Sequence, residues 1–274
     1  MSISELRDAT KTYGSGAAAV HALEKVSLAF EPGEFTAISG PSGSGKTTLL
    51  NLVGLLDVPT SGSVRIIDQA AAGLGSRALA RLRAQNIGFV FQSFNLVTVL
   101  TATENVEMAL HLAGTSGNRR ALAEETLAAV GLGGMLKRKP GELSGGQQQR
   151  VAVARALVKD PKLVLADEPT ANLDSTTGEG ILGLMRDLNQ DLGITFIFST
   201  HDPRVMARAR RVTTLRDGRD GQGEIGCAAL WRLAEGFGVS RLHLEGFLEL
   251  PLGLCHAVVS QQLAAPIEVK QEVL

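Results

Sequence analysis

The segment Gly40-Pro41-Ser42-Gly43-Ser44-Gly45-Lys46-Thr47-Thr48 constrains this chain more than any other. It follows Glu34-Phe35-Thr36-Ala37-Ile38-Ser39, which reads as a buried strand, and leads into Leu49-Leu50-Asn51-Leu52-Val53, which reads as an apolar helix. A strand, a GxxxxGK(S/T) loop and a helix in that order form a cradle for phosphate. Its glycines permit the left-handed turns that aim successive N–H groups inward, and the helix N-terminus adds partial positive charge. Triphosphate oxygens are the natural ligand. Lys46 supplies a cation for the β and γ phosphates, and the Thr47 hydroxyl is placed to ligate Mg²⁺.

A magnesium-dependent triphosphatase needs a further carboxylate at the end of a buried parallel strand. Lys162-Leu163-Val164-Leu165-Ala166-Asp167-Glu168 provides it: four apolar residues end in two acids. Asp167 is the candidate to hold Mg²⁺ through its water shell, and Glu168 the candidate to orient the attacking water as general base. Ligands of α/β sheets gather at the C-terminal ends of the strands, which favours this reading over a solvated acidic pair. A second glycine-rich stretch, Leu143-Ser144-Gly145-Gly146-Gln147, opens the helix Val151 to Leu157, with Ser144 as its expected N-cap. That helix end is another anion receptor, yet one triphosphate already has its loop. Two receptors for one ligand imply two subunits.

These segments alternate β and α, so an α/β fold with a parallel sheet is expected. Short strands and glycine or proline turns run to about Phe91, including Val64-Arg65-Ile66-Ile67 after the turn Pro59-Thr60-Ser61-Gly62. From Thr101 to about Lys139 the apolar period becomes helical, with Thr101 and Glu104 spaced as a capping box and Val106, Ala109, Leu110 and Ala113 on one face. A helix from Gly180 to Leu192, a strand from Ile194 to Ser199 and a last strand from Arg211 to Leu215 follow, closing at Asp217-Gly218.

Net charge excludes one class of function. With 27 basic against 28 acidic residues, the net charge of −1 gives no global field for nucleic acid or anionic lipid, and no nucleic-acid partner is expected. Mean hydropathy is +0.12, but no apolar run reaches the roughly 18 residues of a membrane helix. Met1 to Asp8 mixes charges among its apolar residues and offers no secretory h-region, so the cytoplasm is the expected compartment. The two cysteines, Cys227 and Cys255, match neither a disulfide framework nor a CxxC metal pattern.

The sequence LSGGQ at 143–147, together with the phosphate loop and the acids at 167 and 168, resembles the ATP-binding cassette (ABC) family specifically. The resemblance implies a P-loop NTPase with a RecA-like α/β core, an N-terminal antiparallel β part and an inserted α-helical subdomain at about 93–158. It spans about 1–218 as the ATP-binding domain and leaves 219–274 as a C-terminal extension. It also implies a head-to-tail homodimer, in which each ATP is held between one copy's phosphate loop and the Ser144, Gly145, Gly146 and Gln147 of the other. By the same resemblance Tyr13 stacks on adenine, Gln92 touches Mg²⁺ and water, Asp174 lies in a loop crossing the dimer interface, and His201 contacts the γ phosphate. The wording of the segments GPSGSGKTTLLNLVGLLD, LTATENVEMAL and LADEPTANLDSTTG is similar to the ATPases of the lipoprotein-releasing and macrolide-export group. Those pair with integral membrane permease subunits, which places the expected chain as a peripheral ATPase on the cytoplasmic face of the inner or plasma membrane. The competing class is a membrane-independent ABC ATPase of the DNA-repair or ribosome-associated type. Such proteins carry coiled coils or two cassettes per chain, whereas this sequence has no heptad pattern and a single phosphate loop. A regulatory module without catalysis is disfavoured by the intact acids and LSGGQ. In the extension, Leu230, Leu233, Ala234 and Phe237 share one helical face, and either packing against the core or a poorly ordered end without selected function is preferred to a binding or sensing role.

Overall fold

The computed structural model describes residues 2–220. The expected extension, its helical face, Trp231 and both cysteines therefore lie outside the described residues. The chain opens with two long strands, β1 (Ser4–Tyr13) and β2 (Val20–Phe30), which pair antiparallel. They are joined by β4 (Ser61–Ile66) and β5 (Gln69–Ala70) in a sheet of order β2-β1-β4-β5. Register shifts between Leu6 and Thr12 break the β1–β2 ladder, and Asp8 and Lys25 take left-handed backbone there, so this sheet bends at bulges.

The second sheet is the α/β core. Its order is β10 (Arg219–Asp220), β9 (Arg211–Arg216), β3 (Phe35–Ser39), β8 (Thr195–Ser199), β7 (Leu163–Asp167) and β6 (Ile87–Val90), all parallel except β10. Alternation along these strands divides the core in two. Phe35, Ala37, Val164, Ala166, Phe196 and Phe198 face one apolar cluster, filled by Val151, Ile181, Leu182 and Met185. Ile38, Leu163, Leu165 and Ile197 face the other, filled by Leu49, Leu52 and Val53 and by the antiparallel sheet through Leu6, Leu23, Phe30 and Ile66. The central strands β3, β7 and β8 are thus buried on both faces, which is why they read as largely apolar runs. Phe35 and Phe198 lie 4.6 Å apart between ring centroids at the centre of the first cluster.

The helices are α1 (Lys46–Val53), α2 (Ser76–Asn86), α3 (Ala102–Ala113), α4 (Arg119–Ala129), α5 (Gly145–Leu157), α6 (Ser175–Leu192) and α7 (Pro203–Arg208). α3, α4 and α5 fall within the interval 93–158 and contact one another. Thr101 caps α3 as a complete capping box with Glu104.

Several elements differ from the sequence reading. α2 had no counterpart in it, and α6 begins at Ser175, not Gly180, because the Asp174 side chain accepts from the Thr177 N–H and starts the helix a turn and more earlier. On α3 the buried apolar positions are Ala102, Val106 and Leu110, whereas Ala109 and Ala113 line an open groove. Asp217 and Gly218 make a left-handed turn into β10, so the sheet continues past residue 218.

Candidate functional site

The register of the parallel sheet fixes where its strands end together: Asp167 pairs with Ser199, Ile38 with Ser199, and Val90 with Ala166. Gly40, Phe91, Glu168 and Thr200 therefore follow one another along a single edge, the C-terminal edge where α/β sheets bind ligands. The loop from Gly40 to Gly45 leaves β3 at this edge and enters α1. Gly45 caps α1 in the left-handed region at φ 99°, and a Cβ there would meet the Ala22 carbonyl. No L side chain fits that position without strain. Lys46 arches across the loop, its Nζ donating to the carbonyls of Gly40 at 2.8 Å and Pro41 at 3.0 Å.

Two elements far apart in sequence then converge. Thr47 Oγ1 donates to Asp167 Oδ2 at 3.3 Å, joining the first residues of α1 to the end of β7. Glu168 takes left-handed backbone at φ 46°, uncommon for a carboxylate-bearing residue, and donates its N–H to the Ser199 carbonyl. That bend turns its side chain away from the strand and onto the residues that follow β8. His201 Nδ1 lies 2.6 Å from Glu168 Oε1, and the Thr200 hydroxyl donates to Oε2 at 3.2 Å. The carboxylate is 14% exposed while the imidazole is 75% exposed, so the pair spans the boundary between core and solvent.

A further network backs this pair. Thr200 Oγ1 accepts from the Asp202 N–H, and Asp202 accepts from Thr170 Oγ1 at 3.0 Å and from the Arg204 guanidinium at 2.7 Å. Burial raises the Asp202 carboxyl, but the hydrogen bonds from Arg204 and Thr170 outweigh it and hold the group below its ordinary range. Thr200, Asp202, Arg204 and Thr170 were not singled out from the sequence. The only signal for them was their position beside His201 and Glu168.

The remaining expected residues are arranged as follows. Ser144 caps α5: its Oγ accepts from the Gln147 N–H at 3.3 Å, and Gln147 Oε1 accepts from the Ser144 N–H at 2.9 Å. Gln147 thereby completes a capping box. Gly146 lies against Thr177 of α6 so closely that a Cβ would collide with its methyl. The chief neighbours of α5 are α3, β6, α4 and α6, none of which is a chief neighbour of α1. Gln92 is exposed after β6, and its carbonyl accepts from Asn172 Nδ2 at 2.9 Å. Asp174 caps α6, and the hydrogen bonds from Thr177 lower its carboxyl. Tyr13 stands at the end of β1, 41% exposed.

Near Gln92, an open groove of about 760 Å³ runs between α2 and α3. Leu56, Phe89, Phe91, Met108 and Leu112 line it with Arg77, Arg81, Arg83, Arg155 and Lys159, and it has no acidic lining residue. Leu112 is 68% exposed there. Lys159 is pushed down from 10.5 to about 8, by burial first and by the charge of Arg83 second. Among the described residues no cluster of three or more His, Cys, Asp or Glu suits a metal held by protein alone, and no helix is long and apolar enough to cross a membrane.

A parallel α/β core with a phosphate loop, an antiparallel sheet and a helical insertion defines the class of P-loop nucleoside triphosphatases. The comparisons make the class specific. Residues 23–171 match the ABC transporter family. The chain is 48% identical over 217 residues to the lipoprotein-releasing system ATP-binding protein LolD of Anaeromyxobacter dehalogenans, covering 78% of this chain and 91% of that protein. It is 51% identical over 216 residues to the macrolide export ATP-binding/permease protein MacB of Hyphomonas neptunium, covering 78% of this chain and 33% of that one. The chain thus spans about a third of the length of the MacB relatives it matches. A solved dimer of the ATP-binding cassette MJ0796 with ADP and Pi, in a post-hydrolysis state, superposes with a TM-score of 0.76 at 44% identity, covering 81% of this chain and 97% of that one. The chain belongs to the ABC transporter family, and its fold is that of an ATP-binding cassette ATPase.

Proposed function

We propose that this chain is the ATP-hydrolysing subunit of a transport complex, acting as a head-to-tail homodimer on separate integral membrane permease subunits. The carrying observation is the convergence of Thr47, Asp167, Glu168 and His201 at one sheet edge beside the phosphate loop. Residues 1–218 form the ATP-binding domain in this reading, with a helical subdomain at about 93–158.

Thr47 Oγ1 and Asp167 Oδ2 are two hard oxygens within 3.3 Å of each other, a donor pair that suits Mg²⁺, which keeps water and phosphate as its other ligands. Thr47 and Asp167, with Gln92, would hold that ion, which when bound neutralises charge on the β and γ phosphates. Gly40, Pro41, Ser42, Gly43, Ser44, Gly45 and Thr48 cradle the phosphates with backbone and hydroxyl donors, and Lys46 leaves its two carbonyls for phosphate oxygens. Glu168 accepts the proton of the attacking water or orients it in line, and His201 compensates charge on the γ phosphate. Tyr13 stacks on adenine. Ser144, Gly145, Gly146 and Gln147 of the second copy cover the nucleotide, and Asp174 stands in the loop between copies.

The groove beside Gln92 supports a membrane partner, since apolar side chains exposed as far as Leu112 mark an interaction surface. Such a subunit places the chain on the cytoplasmic face of the membrane. Lipoprotein release and macrolide export, named for the relatives, define the class of work: export or extraction. The test is recovery of partners from native membranes by tagged Glu168→Gln chain with ATP and Mg²⁺. An integral membrane subunit of transporter type is the expected companion, and a purely soluble assembly would contradict the proposal.

A further inference from the structure

Tyr13 is held from two directions. Its hydroxyl donates to Asp57 Oδ2 at 2.8 Å. The other oxygen of that carboxylate accepts from Lys11 Nζ at 2.6 Å and from the Val58 N–H at 2.7 Å. Lys11 is fixed a second time through the Val58 carbonyl at 2.8 Å. From there its ammonium stands over the Tyr13 ring, 5.0 Å from the centroid.

These bonds have a geometric consequence. Tyrosine has two side-chain torsions, and anchoring the tip of the ring removes the freedom of both. Asp57 lies just after α1, 44 residues from Tyr13 in sequence, so the ring is referenced to the helix that opens at the phosphate loop. Lys11 occupies one face of the ring. The ring, 41% exposed, is left with one face under Lys11 and a fixed plane.

We infer that Asp57 is the positioning residue for the nucleotide base: it locks Tyr13, with Lys11 on one face, so that the other face meets a purine at a set distance from the phosphate loop. This rests on the proposal that Tyr13 is the stacking platform. Stacking alone tolerates many orientations. A tethered ring makes base contact and phosphate contact occur together, so the tether acts on affinity for the whole nucleotide and not on phosphate binding.

The experiment titrates the full chain, with Mg²⁺, against ATP and against inorganic tripolyphosphate, which has no base. Asp57→Ala and Tyr13→Phe should each weaken ATP about fivefold, the worth of one net hydrogen bond. The double variant should weaken it no further, and tripolyphosphate should bind all of them as it binds the parent. Asp57→Asn keeps an acceptor for the hydroxyl and should recover part of the loss, and it carries the test if the alanine variant does not fold. Tyr13→Ala separates the two layers of the reading. If it leaves ATP affinity unchanged, the platform itself is wrong. If it weakens ATP while the Asp57 variants do not, the platform stands and the positioning role is overturned. Equal losses for ATP and tripolyphosphate at Asp57 would also overturn it, because the residue would then act on the loop.

Discussion

Lys159 should cost this protein stability, and replacing it should show how much. Its Nζ donates to the Arg83 carbonyl at 3.3 Å, while burial and the Arg83 charge lower its proton affinity from 10.5 to about 8. At about 1.4 kcal/mol per pH unit, keeping the ammonium charged in the fold costs up to about 3 kcal/mol near neutrality. Lys159→Met retains the apolar stem and removes the charge. It forfeits one weak hydrogen bond, worth about 0.5–1 kcal/mol. The net expectation is a gain of up to about 2 kcal/mol at pH 7, read as the shift in urea midpoint at constant slope. The sign of the pH dependence follows from linkage. Folding lowers the lysine's proton affinity, so between about pH 8 and 10.5 the unfolded chain holds the proton that the folded chain has released, and parent stability rises with pH. The advantage of Lys159→Met should therefore be full below pH 8 and shrink steadily above it. A variant no more stable than the parent at pH 7, or an advantage equal at pH 7 and 9.5, would refute the reasoning.

Two further outcomes follow from the site. Asp202→Asn should lower stability by about 1 kcal/mol at pH 7, because it weakens the charged bonds from Arg204. That difference should fade on acidification below about pH 4, where the parent's depressed carboxyl takes up its proton and loses the same stabilisation. Gly45→Ala should abolish measurable ATP binding, since φ is 99° there and the new methyl meets the Ala22 carbonyl. Retention of parent affinity by direct titration would show that the loop can rearrange.

What the sequence disclosed was local, and what it hid was long-range or weakly patterned. The strand, loop and helix around Lys46 and the caps at Thr101 and Ser144 depend on neighbours within a few residues, so they could be read directly. α2 was missed because its sequence is strongly polar, it buries Leu79 and Leu82, and Gly75 caps it without a side-chain bond. The start of α6 was placed late because Ser175-Thr176-Thr177-Gly178 contains poor helix formers, and only the Asp174 cap reveals it. Thr47 and Asp167 were both named as candidates from chemistry, but they are 120 positions apart and only the sheet register brings them together. The Lys11–Asp57 pair had no signal at all, since a lysine in a strand and an aspartate after a helix are ordinary surface residues.

The central claim is that Glu168, bent out of β7 and paired with His201, activates water for hydrolysis. Phosphate release by the full chain and by Glu168→Gln, measured together with the mass of the ATP-bound species, tests it most directly. The account predicts that the variant loses at least a hundredfold in turnover while still binding ATP, and accumulates as a dimer; this is the range expected for removing a general base. Phosphate release by Glu168→Gln at the parent rate would contradict it.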